Sequence, residues 1–110
     1  MGSTTVIDLR QIAKQLGLPE TGVLAAVQLI DEGNTIPFIT RYRRDQTNGL
    51  DELQLRSITN AVGKARQLAD RKQTILRTIE GQGKLAPRLR EEIEAAENNK
   101  VLEDLYLPFK

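Results

Sequence analysis

The chain contains no cysteine, no histidine and no tryptophan among its 110 residues, and its two tyrosines and two phenylalanines make it only 4% aromatic. Without cysteine or histidine it cannot form a disulfide, a zinc site of the usual ligands, a thiol nucleophile or a histidine-based triad. No segment approaches the roughly 20 consecutive apolar residues that cross a bilayer. The opening Met1-Gly2-Ser3-Thr4-Thr5 lacks the basic and apolar regions of a signal peptide. These absences predict a cytoplasmic protein that stays off the membrane and needs no metal or cofactor. Apolar residues make up 39% and charged residues 28%. That composition is too apolar for a disordered tail, so a small folded unit is expected.

The net charge of +1 conceals an uneven distribution. Residues 1–40 carry two Lys and Arg against four Asp and Glu, residues 41–90 carry twelve against five, and residues 91–110 carry two against six. A basic middle of this kind could face nucleic acid or be neutralised by an acidic neighbour.

Apolar residues recur at spacings of three and four almost throughout, and no stretch alternates for long, so the expected fold is all-α. A first helix runs from about Asp8 to Gly17 with Ile12, Ala13 and Leu16 inward. A second begins at Leu18-Pro19, with Pro19 in its first turn and Val23, Leu24, Val27 and Ile30 buried, and stops at Gly33-Asn34. Thr35 caps a short third helix through about Arg43, and Asp45 to Gly49 is a polar turn. Leu50 to Glu80 has no proline and reads as one long central helix of about 30 residues, roughly 45 Å, which predicts an elongated domain. Its stripe is Leu55, Ile58, Val62, Ala65, Ala69, Leu76 and Ile79, with Lys72 out of place. Gly81-Gln82-Gly83 ends it. Pro87 starts a helix through Glu97, with Leu89, Ile93 and Ala96 inward. Asn98-Asn99 is a turn, and a last short helix covers Val101 to Tyr106.

The chain thus reads as a single domain, 1–110, comprising a helix-turn-helix-like unit plus short helix over 1–44, the long helix over 50–80 and C-terminal helices over 87–107. Val101, Leu102, Leu105, Tyr106, Leu107 and Phe109 crowd the last ten positions. They are expected to pack on residues outside this chain, which would make it an N-terminal fragment of a larger protein prone to self-association.

Nothing in the sequence asks for catalysis. Asp51-Glu52 and Glu91-Glu92 stand in the first turns of expected helices, where acids meet the helix dipole. Gly81-Gln82-Gly83 follows a helix and lacks the strand and Lys-Ser/Thr of a phosphate loop. The expectation is a protein that is not an enzyme.

Three features could instead bind. Ala13, Gly17 and Val23 have helix-turn-helix spacing, although the second helix offers Glu20, Thr21, Ala25 and Gln28 and no cation to a DNA groove. Arg41, Tyr42, Arg43 and Arg44 place three arginines around a tyrosine. Either the arginines hold phosphates while Tyr42 stacks on a base, or Phe38, Ile39 and Tyr42 pack inward and the arginines pair with Asp45 or Glu91 to Glu94. Lys64 and Arg71 lie seven apart on one stripe of the long helix, with Arg66 and Arg77 on the next, as a solvated face or a nucleic-acid track.

The run Leu29-Ile30-Asp31-Glu32-Gly33-Asn34-Thr35-Ile36-Pro37-Phe38-Ile39-Thr40-Arg41-Tyr42-Arg43-Arg44, followed by Thr47-Asn48-Gly49-Leu50-Asp51-Glu52 and Leu55-Arg56, resembles the amino-terminal region of the bacterial transcription accessory protein Tex family. Gln82-Gly83-Lys84-Leu85 and Leu102-Glu103-Asp104-Leu105-Tyr106-Leu107-Pro108-Phe109-Lys110 resemble later stretches of the same region. The resemblance implies a helical scaffold within a large cytoplasmic nucleic-acid-binding protein. Its main RNA or DNA contacts would lie in a carboxy-terminal OB-type domain outside this chain, beyond a nuclease-like domain and a helix-hairpin-helix pair. The partners so implied are the remaining domains, nucleic acid through the intact protein, and the transcription machinery. A direct nucleic-acid-binding module using the first two helices and Arg41 to Arg44 is the alternative.

Overall fold

A computed structural model of the chain describes residues 7–110; the reading of Met1 to Thr5 as free of a signal peptide lies outside the described residues. Those residues form six α-helices and two short 3₁₀ segments, with no strand among them. The helices are α1 (Leu9–Leu16), α2 (Glu20–Asp31), α3 (Ile36–Tyr42), α4 (Glu52–Gly81), α5 (Pro87–Ala95) and α6 (Asn99–Tyr106). One 3₁₀ turn, Arg44–Thr47, follows α3, and another, Leu107–Phe109, follows α6.

The helix boundaries follow from capping chemistry. Asp8 accepts from the backbone N–H groups of Arg10 and Gln11, and Gly17 closes α1 in the left-handed conformation at φ 68°. Thr35 Oγ1 accepts from Phe38 N–H at 3.2 Å, and Asn98 Oδ1 from Val101 N–H at 2.9 Å, so the expected turn at Asn98-Asn99 is in fact the cap and first residue of α6. At the head of α4, Asp51 Oδ1 accepts from Gln54 N–H at 2.8 Å while Gln54 Oε1 accepts from Asp51 N–H at 2.9 Å. This reciprocal pair satisfies two backbone donors that the helix leaves free. Pro19 precedes α2 instead of lying in its first turn. Its ψ of 132° is extended, and the helix begins only at Glu20.

The described residues divide into two compact units, one reaching to Ala65 and the other covering Arg66–Lys110, and α4 supplies its first half to one and its second half to the other. The core of the first unit consists of Ile12, Ala13, Val23, Ala26, Val27, Leu29, Ile39, Leu50, Leu55, Ile58 and Val62, with Ala61 and Ala65 packed against it. Leu24, expected inward, is 41% exposed, because Ala26 and Leu29 take the inner side of α2. The core of the second unit is Ile75, Leu76, Ile79, Ile93, Ala96 and Leu102. Ile75, which the four-and-three stripe of α4 omits, is fully buried. A core-facing helix presents a stripe at least about 100° wide, so neighbours such as Ile75 and Leu76 both reach the interior.

The end of the chain also departs from expectation. Leu102 is buried, and Leu105, Tyr106 and Phe109 pack against the core of their own unit, leaving Leu107 and Val101 exposed at 65% and 44%. Of the apolar residues expected to pack outside the chain, Leu102, Leu105, Tyr106 and Phe109 thus pack within their own unit.

Within the first unit the 3₁₀ turn packs tightly on α2. Thr47 is fully buried, its hydroxyl donates to the Arg44 carbonyl at 3.1 Å, and a Cβ at Gly22 would stand 2.6 Å from the Thr47 carbonyl oxygen. Gly22 is thus required by close backbone approach. Gly63, by contrast, lies inside α4 with nothing within 4 Å of where its Cβ would stand. Gly22→Ala should lower stability by about 1–3 kcal/mol through overpacking, whereas Gly63→Ala should raise it by about 0.5–1 kcal/mol through helix propensity. Urea midpoints of the two variants moving in opposite directions would establish this.

Candidate contact site

α3 ends in a ring stack. Phe38 and Tyr42 are one turn apart with centroids 5.1 Å apart and planes inclined at 48°, and the Arg43 guanidinium lies 5.1 Å from the Phe38 centroid. Arg43 Nη1 also donates to the Tyr42 carbonyl at 3.0 Å, so this arginine is engaged by its own helix end. Ile39 is fully buried and anchors α3 to the first core, while Thr40 Oγ1 donates to the Ile36 carbonyl at 2.8 Å. Tyr42 is 59% exposed. The inward packing that one of the two alternatives gave it does not occur: Ile36 and Ile39 pack against the first core, and Tyr42, the last residue of α3, is left outside it.

The expected pairing of the arginines with Asp45 or Glu91 to Glu94 is also absent: Arg41, Arg43 and Arg44 form no ion pair among the described residues. Glu92 pairs with Arg88, and the Glu94 carbonyl accepts from Lys72 Nζ at 2.8 Å. Arg41, Tyr42 and Arg44 consequently form an exposed edge at the end of α3, with Arg43 folded back on Phe38. Beside the N-terminal end of the same helix, Ile36, Pro37, Arg56, Thr59 and Asn60 line a shallow cleft of about 410 Å³, and Arg56 is held by Glu52 at 3.0 Å.

Lys64 is exposed on the first half of α4, and Arg71 belongs to the other unit. Arg71 makes a bidentate pair with Glu103 of α6, Nε to Oε2 at 2.7 Å and Nη2 to Oε1 at 3.0 Å, and its guanidinium lies 5.4 Å from the Tyr106 ring centroid. Lys110 Nζ adds a 3.5 Å contact to Glu103 and stands 5.5 Å from the same ring. Hydrogen bonding from Arg71 holds the Glu103 carboxyl down at about 2, and the same bond raises the Arg71 guanidinium above its ordinary value. Glu103 and Tyr106 stand one turn apart on α6, so their joint approach to one side chain follows from helical spacing. The meeting of Glu103 with a residue 32 positions earlier has no local signal. Lys72, the apparent misfit of the α4 stripe, is half-buried with its ammonium on the Glu94 carbonyl, and burial lowers its pKa.

A family model described as the Tex-like protein N-terminal domain matches residues 7–80. The chain belongs to this Tex-like family. It is 46% identical over 101 residues to the Transcriptional accessory protein Tex of Neisseria gonorrhoeae and 48% identical over 101 residues to Protein YhgF of Escherichia coli K12, each match covering 92% of the chain and 13% of the relative. It is also 30% identical over 84 residues to human S1 RNA-binding domain-containing protein 1, covering 76% of the chain and 8% of that protein. The Tex-like chain therefore spans about an eighth of the length of its bacterial relatives. The motif that carries Arg41 to Arg44 lies inside the matched residues.

The Arg71–Glu103 pair makes a pH test. Because the Glu103 carboxyl is depressed from 4.5 to about 2, its contribution to stability is complete above about 4.5 and is lost as pH falls through about 2. Both side chains keep more than a third of their surface in water, or very nearly so (39% and 34%), which weakens the pair by screening. The stability difference between the native chain and Glu103→Gln should therefore shrink steadily from pH 5 to pH 2, as read by thermal melts. A constant difference would show that the pair contributes nothing through charge.

Proposed function

We propose that this chain is the helical scaffold and interaction region of a cytoplasmic Tex-like transcription accessory protein, has no catalytic role of its own, and leaves nucleic-acid binding mainly to parts of the longer protein outside it. Its partners are those parts and, through the intact protein, RNA or DNA and the transcription machinery. The observation that carries this reading is what folding does to the basic middle of the sequence. The excess of cations over residues 41–90 is divided between the two units. Residues 6–65 hold seven Lys and Arg against seven Asp and Glu, and residues 66–110 hold nine against eight. Neither unit carries the strongly positive balance that draws polyphosphate. Arg56, Arg71, Arg88 and Arg90 are moreover engaged by Glu52, Glu103, Glu92 and Glu80. α2, in the position of a helix-turn-helix reader, has no cation.

Direct nucleic-acid binding is the second reading, favoured by the unpaired Arg41 and Arg44 around exposed Tyr42. A salt titration of fluorescence anisotropy with single-stranded RNA separates the two. The scaffold reading expects weak binding, unchanged by Arg41→Ala/Arg43→Ala/Arg44→Ala. Direct binding expects tight association whose salt slope of about −0.7 per phosphate contact flattens in that triple variant, and that result would overturn the scaffold reading.

A further inference from the structure

The end of α3 is built as an anchor without anything in its own unit to hold. Tyr42 projects into solvent at 59% exposure while its ring is braced by Phe38 at 5.1 Å, and Phe38 is covered in turn by Arg43. A large side chain held this way loses little freedom when it is buried against a partner. Arg41 and Arg44 stand within two positions of it, both exposed and neither in an ion pair among the described residues. A single cation at the end of α3 would be explained by the helix dipole. A second arginine left unpaired, next to an aromatic ring, exceeds what that requires. Tyrosine and arginine are the side chains that concentrate binding energy at protein interfaces.

Charge decides the chemical class of the partner. Arg41, Arg43 and Arg44 are followed at once by exposed Asp45, and the unit as a whole is balanced, so the excess of positive charge is local to the end of α3. A nucleic-acid strand passing the edge would meet two free cations and then a carboxylate, with no second aromatic platform exposed among the described residues for the next base. A short acidic segment of protein, presenting two carboxylates about an apolar residue, needs no more than what is there.

We infer that the Arg41, Tyr42 and Arg44 edge of α3 is a protein-docking surface for an acidic segment that seats an apolar side chain against Tyr42 and a carboxylate on each of Arg41 and Arg44. Arg43 is a positioning residue, which acts by holding Phe38 and thereby Tyr42. This inference rests on the scaffold reading and names the chemistry of its partner.

The test titrates the isotopically labelled chain with two probes at physiological salt, a peptide of glutamates interspersed with leucine and oligo(dT), following backbone amide resonances. Saturable shifts confined to residues around Arg41 to Asp45 are expected with the peptide and not with oligo(dT). Arg41→Ala/Arg44→Ala and Tyr42→Ala should each weaken the peptide by at least about tenfold. Tyr42→Phe should retain binding, and Lys64→Ala, which removes an exposed cation elsewhere in the unit, should leave it unchanged. All these side chains are exposed, and circular dichroism of each variant checks that the fold is kept. Equal losses in Lys64→Ala, or no saturable shift with either probe, would overturn the docking surface while leaving the scaffold reading intact. Tight oligo(dT) binding abolished by the same α3 variants would overturn both.

Discussion

The continuity of α4 is the constraint on which the rest depends. One helix from Glu52 to Gly81 contributes Leu55, Ile58 and Val62 to one core and Ile75, Leu76 and Ile79 to the other. Each core is small, and neither could be assembled from the short helices alone, since helices of seven to twelve residues are marginal in water without a partner surface. A break in α4 would therefore cost both units part of their packing surface. Its sequence carries matching safeguards: no proline from Leu50 to Glu80, a reciprocal Asp51–Gln54 cap, and its weakest helix former, Gly63, placed on the exposed side.

What could be read in advance and what could not divides by range. Asp8, Gly17, Thr35 and the glycines after α4 act on backbone groups within a few residues, so their roles are visible in the sequence. Thr47 is polar and sits in a turn, which suggests exposure, yet it is fully buried because Gly22, 25 positions earlier, lets the chain approach. Tyr42 is the reverse case: a large ring at helical spacing from Phe38 and Ile39 that the core leaves outside. Arg71 looks like a free cation on a basic stripe until α6 brings Glu103 and Tyr106 to it. In each case the deciding contact is non-local, and periodicity carries no information about it.

The same distinction governs charge. A sequence window from 41 to 90 collects twelve cations, but a window is not a surface. Folding assigns those residues to two units and gives four of the cations, Arg56, Arg71, Arg88 and Arg90, acids drawn from inside and outside the window: Glu52, Glu103, Glu92 and Glu80. Pairs of this kind are worth little individually in stability when exposed. Their larger effect is on recognition, because a guanidinium already bidentate to a carboxylate has few donors left for a phosphate.

The α3 edge stands apart from that glutamate pairing and adds an exposed ring to it. Five of the other seven arginines lie against a glutamate, through i,i+4 spacing as in Arg56–Glu52 and Arg88–Glu92 or through packing as in Arg71–Glu103. Arg41 and Arg44 have acids close by in sequence at Asp45 and pair with none. Arg43 spends its guanidinium on a ring and a carbonyl in preference to a carboxylate. On the docking proposal, a helix end that keeps Arg41 and Arg44 out of ion pairs while bracing an exposed tyrosine would serve an external contact. In a Tex-like chain that amounts to about an eighth of the length of its bacterial relatives, the proposed docking of an acidic segment would use that edge, and the balanced charge of the surrounding unit would confine recognition to it.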